Sequence, residues 1–279
     1  MLNEDLRNES NEEMRSLKLE NMKTLSIVKI GGNIVDKPEA LQYFLNNLNK
    51  LEGPKVLIHG GGAIATQLSP KLGIEVKMHN GRRITDYETL KLVTMVYAGL
   101  INKQIVASLQ KIGCNALGLC GADGDSVPAT KRPAIPFDWG YVGDVDPLKI
   151  NTSLLTSLLG RGITPVFCAI THDGNGSLLN TNADTMASSL AIALSQEYST
   201  RLIYCFEKDG VLSDPDDNNS VIPLITKNSY QQLLEEKKVV GGMIPKLDNA
   251  FAALENGVSE VIIKHADNLL IRKETLLKL

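Results

Sequence analysis

The chain has 279 residues, 43% of them hydrophobic, 22% charged and 5% aromatic, with 29 Lys and Arg against 32 Asp and Glu. It is too apolar for a disordered protein and too balanced in charge for a nucleic-acid binder held by phosphate neutralisation. No run of about 18 apolar residues reads as a membrane span, and the N-terminal stretch is acidic where a signal peptide is basic; one large domain or two closely joined lobes is expected.

Residues 1–21 hold six acids and three bases, so the formal charge of −3 sits there and the rest is formally neutral. This acidic extension reads either as a mobile segment or, through Leu2, Leu6, Met14 and Leu17, as an oligomerisation helix. Beyond it, short β-rich runs predict strands over 25–30, 55–59, 114–119, 163–169, 201–206 and 259–264. Helical patterns lie between and after them, over 38–51, 63–72, 86–111, 152–159, 182–197, 230–237 and 243–256. Thr85 with Glu88 and Ser229 with Gln232 have capping-box spacing. Strand and helix in alternation predict an α/β fold, a mainly parallel sheet covered on both faces. Polar stretches at 121–143, 171–180 and 209–222 follow strands, on the edge where open α/β sheets collect ligands. Cys114, Cys120, Cys168 and Cys205 are scattered, which suits a reducing compartment, the cytoplasm by default. The apolar run at 92–106 is either a contact between two chains or a helix buried in its own chain.

Chemistry concentrates at glycines. The first strand ends Lys29-Ile30-Gly31-Gly32. A lysine in an apolar strand is costly to bury unless an anion meets it, and two glycines after it let a ligand approach the backbone. An edge-strand lysine snorkelling beside an ordinary turn is the bland alternative. The second strand ends His59-Gly60-Gly61-Gly62 and runs into a helix, an anion-binding arrangement. Gly60-x-Gly62-x-x-Ala65 also fits a dinucleotide fingerprint, but about 20 residues on stand Arg82 and Arg83 where an acid serves NAD. Either arginine suits a carboxylate or is simply a solvated turn. Asn180 and Asp184 lie four apart across a helix start and can face one cleft, although Asp184 there also complements the helix dipole. Gly241-Gly242 precede a helix carrying Lys246, which is either a surface lysine or, with Lys29, a second cation for a phosphate. The four histidines give no zinc spacing, 214–225 lacks the glycine and glutamate of a calcium loop, and G-x-S-x-G is absent.

Together, K-I-G-G at 29–32, H-G-G-G at 59–62, N-G-R-R-I-T at 80–85, G-D-S-V at 124–127, N-T-N-A-D at 180–184, D-G-V-L at 209–212 and G-G-M-I-P-K at 241–246 resemble the amino-acid kinase family. Within it, they are similar to the branch acting on N-acylated glutamate. The resemblance runs from about residue 22 to 264. It implies a three-layer αβα sandwich, an acylglutamate-binding N-lobe over 22–195 and an ATP-binding C-lobe over 196–279. The implied reaction is phosphorylation of the side-chain carboxylate of N-acetyl- or N-succinyl-glutamate by ATP with Mg²⁺, the second step of arginine biosynthesis. By position, Lys29 and Lys246 are implied as transition-state stabilisers and Asp184 as the carboxylate orienting them. Gly61, Gly62, Arg83 and Asn180 are implied as substrate contacts, with the wider Gly31–Gly32 and Gly60–Gly62 amides, Gly31, Gly32 and Gly60 foremost, around the phosphoryl group. Glu207, Lys208, Asp209, Gly210, Val211 and Leu212, with Val240, Gly241 and Gly242, fall where the family binds nucleotide. Glu207 and Val240 depart from the Asp and the Thr or Ser usual there. No protein-built metal site is implied, Mg²⁺ being held mainly by ATP phosphates. A homodimer is implied, or a higher oligomer through the extension, with no nucleic-acid or membrane partner.

A glutamate side chain, with an ordinary pKa of about 4.3, is already ionised near neutrality, so this chemistry needs no general base. Its obstacle is bringing two anions together, which lysines, amides and metal-bound phosphate address electrostatically. Sister kinases of carbamate, aspartate or uridylate share the fold, an NADP dehydrogenase leaves both lysines without a task, and a non-catalytic relative is expected to have lost one of them.

Overall fold

A computed structural model describes residues 22–79, 82–214, 216–239 and 243–279. The acidic extension at 1–21 and the expected nucleotide contacts Val240, Gly241 and Gly242 lie outside the described residues. Eight strands form the central sheet: β1 Thr24–Ile30, β2 Lys55–His59, β3 Ala116–Leu119, β4 Thr164–Cys168, β5 Ser199–Phe206, β6 Leu224–Thr226, β7 Glu260–His265 and β8 Glu274–Lys278. Their order is β6-β8-β7-β5-β1-β2-β4-β3, parallel except where β8 runs against β7. All six expected strands, which are β1 to β5 and β7, stand within two residues of their expected bounds. Their near-continuous apolar runs are what a strand covered on both faces requires.

Period-2 alternation then decides what faces what. Leu25 and Ile27 of β1, with Val56 and Ile58 of β2, pack under the helix Ala183–Leu194 and the helix Met243–Glu255. Val28, Ile30 and Leu57 pack into the opposite layer with Phe44, Leu48 and Ile105. Lys29 therefore shares the face of Leu25 and Ile27, and His59 shares the face of Leu57. One sheet runs through both expected lobes, and each core layer draws on residues from both.

Several local expectations are corrected. The helix start at 85–88 is capped by Asp86, whose Oδ1 accepts from the Thr89 amide, not by Thr85. Thr85 instead exchanges backbone hydrogen bonds with Trp139 and Tyr141. The capping box lies one turn earlier than 229–232, with Thr226 and Ser229 exchanging side-chain to amide bonds, so that helix is Lys227–Glu235. The run at 86–111 is helical throughout, but Met95–Ile101 winds as a wide π turn. By length and composition Tyr87–Lys111 is apolar enough to cross a membrane. Its Leu90, Leu92, Val93, Val96, Ile101, Ile105 and Leu109 are buried in the core, leaving Met95 and Leu100 outward, so it is a core helix here. Cys114, Cys168 and Cys205 are buried as small hydrophobes, and burial pushes the last two thiols up to about 12.

Candidate active site

The chain lays β1, β2, β4 and β3 outward to one side, then returns to place β5 on the other flank of β1. In a parallel sheet that reversal opens a crevice beyond the carboxyl ends of the strands. Lys29 stands one residue before the end of β1, beside Tyr204 of β5 and Ile58 of β2. The strand is central, which removes the reading of an edge lysine snorkelling to water. Its Nζ lies 2.7 Å from Asp184 Oδ1, and the two side chains are only 16% and 17% exposed. Asp184 occupies the first turn of Ala183–Leu194, held by the Asn182 side chain, which accepts from the Asp184 and Thr185 amides.

Lys246 descends from Met243–Glu255 into the same small cavity, lined also by Lys29, Asp184, Tyr204 and Phe206. Its ammonium lies 4.9 Å from the Phe206 ring centroid. Burial lowers the Lys246 pKa; Asp184 opposes that shift, Lys29 adds to it and Glu207 opposes it. Two cations distant in sequence thus face one point, with a carboxylate between them limiting their repulsion.

The glycine turns divide the remaining work. The Gly31 N–H is already bonded to the Cys205 carbonyl at 3.1 Å, so it is not spare for a phosphoryl oxygen as expected. Gly32 opens the short helix Gly32–Val35 with open space where a Cβ would stand. Gly61 has no such space. A methyl there would collide with Ile101 and come within 2.7 Å of a Tyr97 ring carbon.

Gly60, Gly61 and Gly62 line a second cavity of about 240 Å³. Arg82 and Arg83 border it from the Arg82–Arg83 strand, and Asn180 from the strand Leu178–Asn180. Arg83 Nη2 donates to the Gly62 carbonyl at 3.0 Å and to Thr66 Oγ1 at 2.7 Å, while its Nη1 is buried with no hydrogen-bond partner among the described residues. A buried guanidinium nitrogen without an acceptor is costly, and a ligand carboxylate would satisfy it. Asn180 donates from its side chain to Thr85 Oγ1 at 2.9 Å. Asn180 and Asp184 border neighbouring cavities rather than one cleft, because Asn182 and Ala183 turn the chain between them.

Sequence reasoning missed three walls of this cavity. Arg132 pairs with Asp144 at 2.5 Å and lies 5.5 Å from the Trp139 ring centroid; Trp139 itself and the buried Tyr97 complete the set. Burial pushes the Tyr97 phenol up, and the Arg83 guanidinium pulls against that shift. Arg132 and Trp139 come from the polar stretch at 121–143, where no motif marks them.

A third cavity, of about 190 Å³, is lined by Lys208, Gly210, Val211 and Leu212 together with Lys238, Val239 and Met243. Gly210 is required by crowding, since a Cβ there would stand 2.5 Å from Thr275 Oγ1. Two expected nucleotide contacts do not line it. Asp209 is held by Lys273 at 2.6 Å and by the Asn268 amide at 2.6 Å, and Glu207 is exposed at the end of β5.

The amino acid kinase family model matches residues 24–265. The acetylglutamate kinase of Cytophaga hutchinsonii is 54% identical over 249 residues, 89% of this chain and 94% of that protein. That of Bacteroides thetaiotaomicron is 51% identical over 254 residues, 91% of this chain and 98% of its own length. Among solved structures, smu.665 from Streptococcus mutans UA159 superposes with a TM-score of 0.74 at 28% identity, covering 91% of this chain and 98% of that one. The family match starts with the first residue of β1 and stops with the last of β7, taking in all three cavities, and the chain belongs to the amino acid kinase family.

Proposed function

We propose that the chain transfers the γ-phosphoryl group of ATP to the side-chain carboxylate of N-acetyl-L-glutamate, the acyl-phosphate-forming step of arginine biosynthesis. A carboxylate oxygen attacks the γ-phosphorus, the bond to the β-phosphate oxygen breaks, and ADP leaves with that bond's electron pair. No proton moves. The single observation that carries this reading is the convergence of Lys29 and Lys246 on one cavity across Asp184. In this assignment the lysines neutralise the charge spread over the migrating phosphoryl oxygens, and Asp184 keeps both ammonium groups aimed. Arg83 takes the α-carboxylate, with Asn180, Gly61 and Gly62 as further substrate contacts, and the Gly32 amide and the Gly60–Gly62 turn face the phosphoryl group. Acylglutamate occupies the N-lobe cavity beside Gly60–Gly62, and ATP the C-lobe cavity beside Gly210–Leu212.

Mg²⁺ fits here as an ion carried on the nucleotide. When bound it would neutralise phosphate charge. Two chains are proposed to pair through the outward face of the long helix, where Met95 and Leu100 are 57% and 44% exposed; sedimentation at micromolar concentration tests this. Four free cysteines, three of them buried, suit the reducing cytoplasm.

Hydroxylamine trapping tests the reaction. Incubation with MgATP and N-acetylglutamate is expected to give a hydroxamate in step with ADP; ADP without hydroxamate, or neither, contradicts it. A second reading of the acyl group is favoured by Arg82, which lines the same cavity as Arg83 and offers a cation to the extra carboxylate of N-succinylglutamate. If it serves that group, Arg82→Ala lowers kcat/KM for the succinyl substrate more than for the acetyl one. Equal losses remove Arg82 from acyl recognition.

A further inference from the structure

His59 ends β2 directly before the glycine turn and is fully buried, yet the phosphoryl chemistry described above gives it no task. Its surroundings fix its state. Lys103 Nζ lies 3.2 Å from Asn102 Oδ1 and 3.1 Å from the Gly118 carbonyl, so the Asn102 oxygen is the acceptor of that pair. Asn102 Nδ2 is then the donor, 2.8 Å from the Val166 carbonyl and 3.1 Å from His59 Nε2. An imidazole nitrogen that accepts carries no proton, so the proton of neutral His59 sits on Nδ1. Nδ1 lies 2.7 Å from the carbonyl oxygen of Gly60 and donates to it. Burial pushes the imidazole pKa down to about 4, so it keeps one neutral form across the working range of a biosynthetic enzyme.

The Gly60 carbonyl belongs to the same planar unit as the Gly61 amide. In a trans peptide the C=O and N–H point in opposite directions. Holding the Gly60 oxygen toward the imidazole turns the Gly61 N–H the other way. The turn is confined on a second side by Tyr97 and Ile101, from the wide π turn that immediately precedes Asn102. Without His59, the glycines leave that peptide free to rotate, since neither neighbour has a Cβ to oppose it.

We propose that His59 is a positioning residue for phosphoryl transfer: its Nδ1–H bond to the Gly60 carbonyl, backed by Asn102 and Lys103, locks the Gly61 N–H toward the migrating phosphoryl group. The inference rests on the reading that the Gly60–Gly62 turn faces that group. It differs from a packing role in predicting an effect on turnover that a replacement donor repairs. Losing one preorganised backbone donor to developing charge costs about 100-fold in turnover.

The test compares the full chain with His59→Leu, His59→Asn and Lys29→Ala, using MgATP and N-acetylglutamate, with thermal unfolding of each. An asparagine amide reaches the position of Nδ1 and restores the donor, whereas leucine has none. His59→Leu is expected to lose about 100-fold in kcat with both KM values moved less than about threefold, and His59→Asn to recover to within about tenfold of the parent. If His59→Leu keeps its turnover, or the Leu and Asn variants fall equally, while Lys29→Ala is inactive, this inference fails and the kinase reading stands. Normal turnover by Lys29→Ala would instead sink the kinase reading. Should the leucine variant not fold, ¹⁵N spectra of the unaltered protein decide: a protonated Nδ1 and bare Nε2 support the lock, and an Nε2–H tautomer overturns it.

Discussion

Replacing Asp184 by Asn removes one charge and almost no volume, so it isolates what the carboxylate does between the two lysines. At the 2.7 Å separation from Lys29 Nζ, a unit charge pair in an effective dielectric of about 20 interacts by roughly 6 kcal/mol. Partial solvent contact, and relief of the cost of burying the carboxylate, reduce the net effect to about 2–4 kcal/mol. If both ammonium groups must stay charged and aimed in the transition state, kcat falls about 30- to 1000-fold. Asp184 is also the first of the groups that hold the Lys246 pKa up against burial. Its loss therefore moves the alkaline fall of activity to lower pH. The assay is the initial rate of ADP formation with N-acetylglutamate across pH 6 to about 10. Thermal unfolding is expected to move to lower temperature as well, since the folded state also loses the pair with Lys29, although the Asn182 cap remains, so the assay is run where the variant is folded. A folded Asp184→Asn protein with kcat within about threefold of the parent and an unmoved alkaline limb would refute the electrostatic argument.

Lys246 gives a pH signature of its own. Its pKa is lowered from 10.5 and its charge is lost above that pKa, so kcat/KM falls as pH rises, earlier than for an ordinary lysine. Lys246→Arg keeps its charge above pH 12 or so and is expected to flatten that limb even at a reduced maximal rate; an unchanged limb removes Lys246 as its source. Gly61→Ala drives a methyl into Ile101 and Tyr97 and is expected to cost about 1–3 kcal/mol of stability, measured in urea, together with turnover. Gly32→Ala, with open space, serves as the comparison and is expected to melt like the parent. Lys264, only 5% exposed, bonds to Glu274 at 2.5 Å and to the Ile271 carbonyl at 2.9 Å, so Lys264→Ala is expected to lose about 3–5 kcal/mol in urea. A loss below about 1 kcal/mol contradicts the buried-pair account.

Strands covered on both faces were legible because their apolar runs, bounded by glycine and polar stretches, admit few other readings. The short strands at 224–226 and 274–278 escaped notice, since two apolar residues apiece, beside Pro223 or between Thr275 and Lys278, carry no periodicity. Position 29 was readable as chemistry because a lysine among Ile27, Val28 and Ile30 violates the local pattern. Arg132, Trp139 and Tyr97 were not, because a guanidinium in a long polar stretch and a tyrosine in an apolar helix look ordinary until folding sets them on one cavity. Asp209 shows the converse. It sits inside a recognisable motif, but Lys273 and Asn268 already hold its carboxylate. His59 was weighed only as a metal ligand, and its link to Asn102, 43 residues away, is invisible in sequence.

The most direct measurement is a crystal structure with ADP, a metal-fluoride mimic of the moving phosphoryl group, Mg²⁺ and N-acetylglutamate. The account predicts Nζ of Lys29 and Nζ of Lys246 both within hydrogen-bond distance of fluoride atoms on the same mimic, with Asp184 still contacting Lys29. A complex in which either ammonium turns away from the fluorides into another cavity contradicts it.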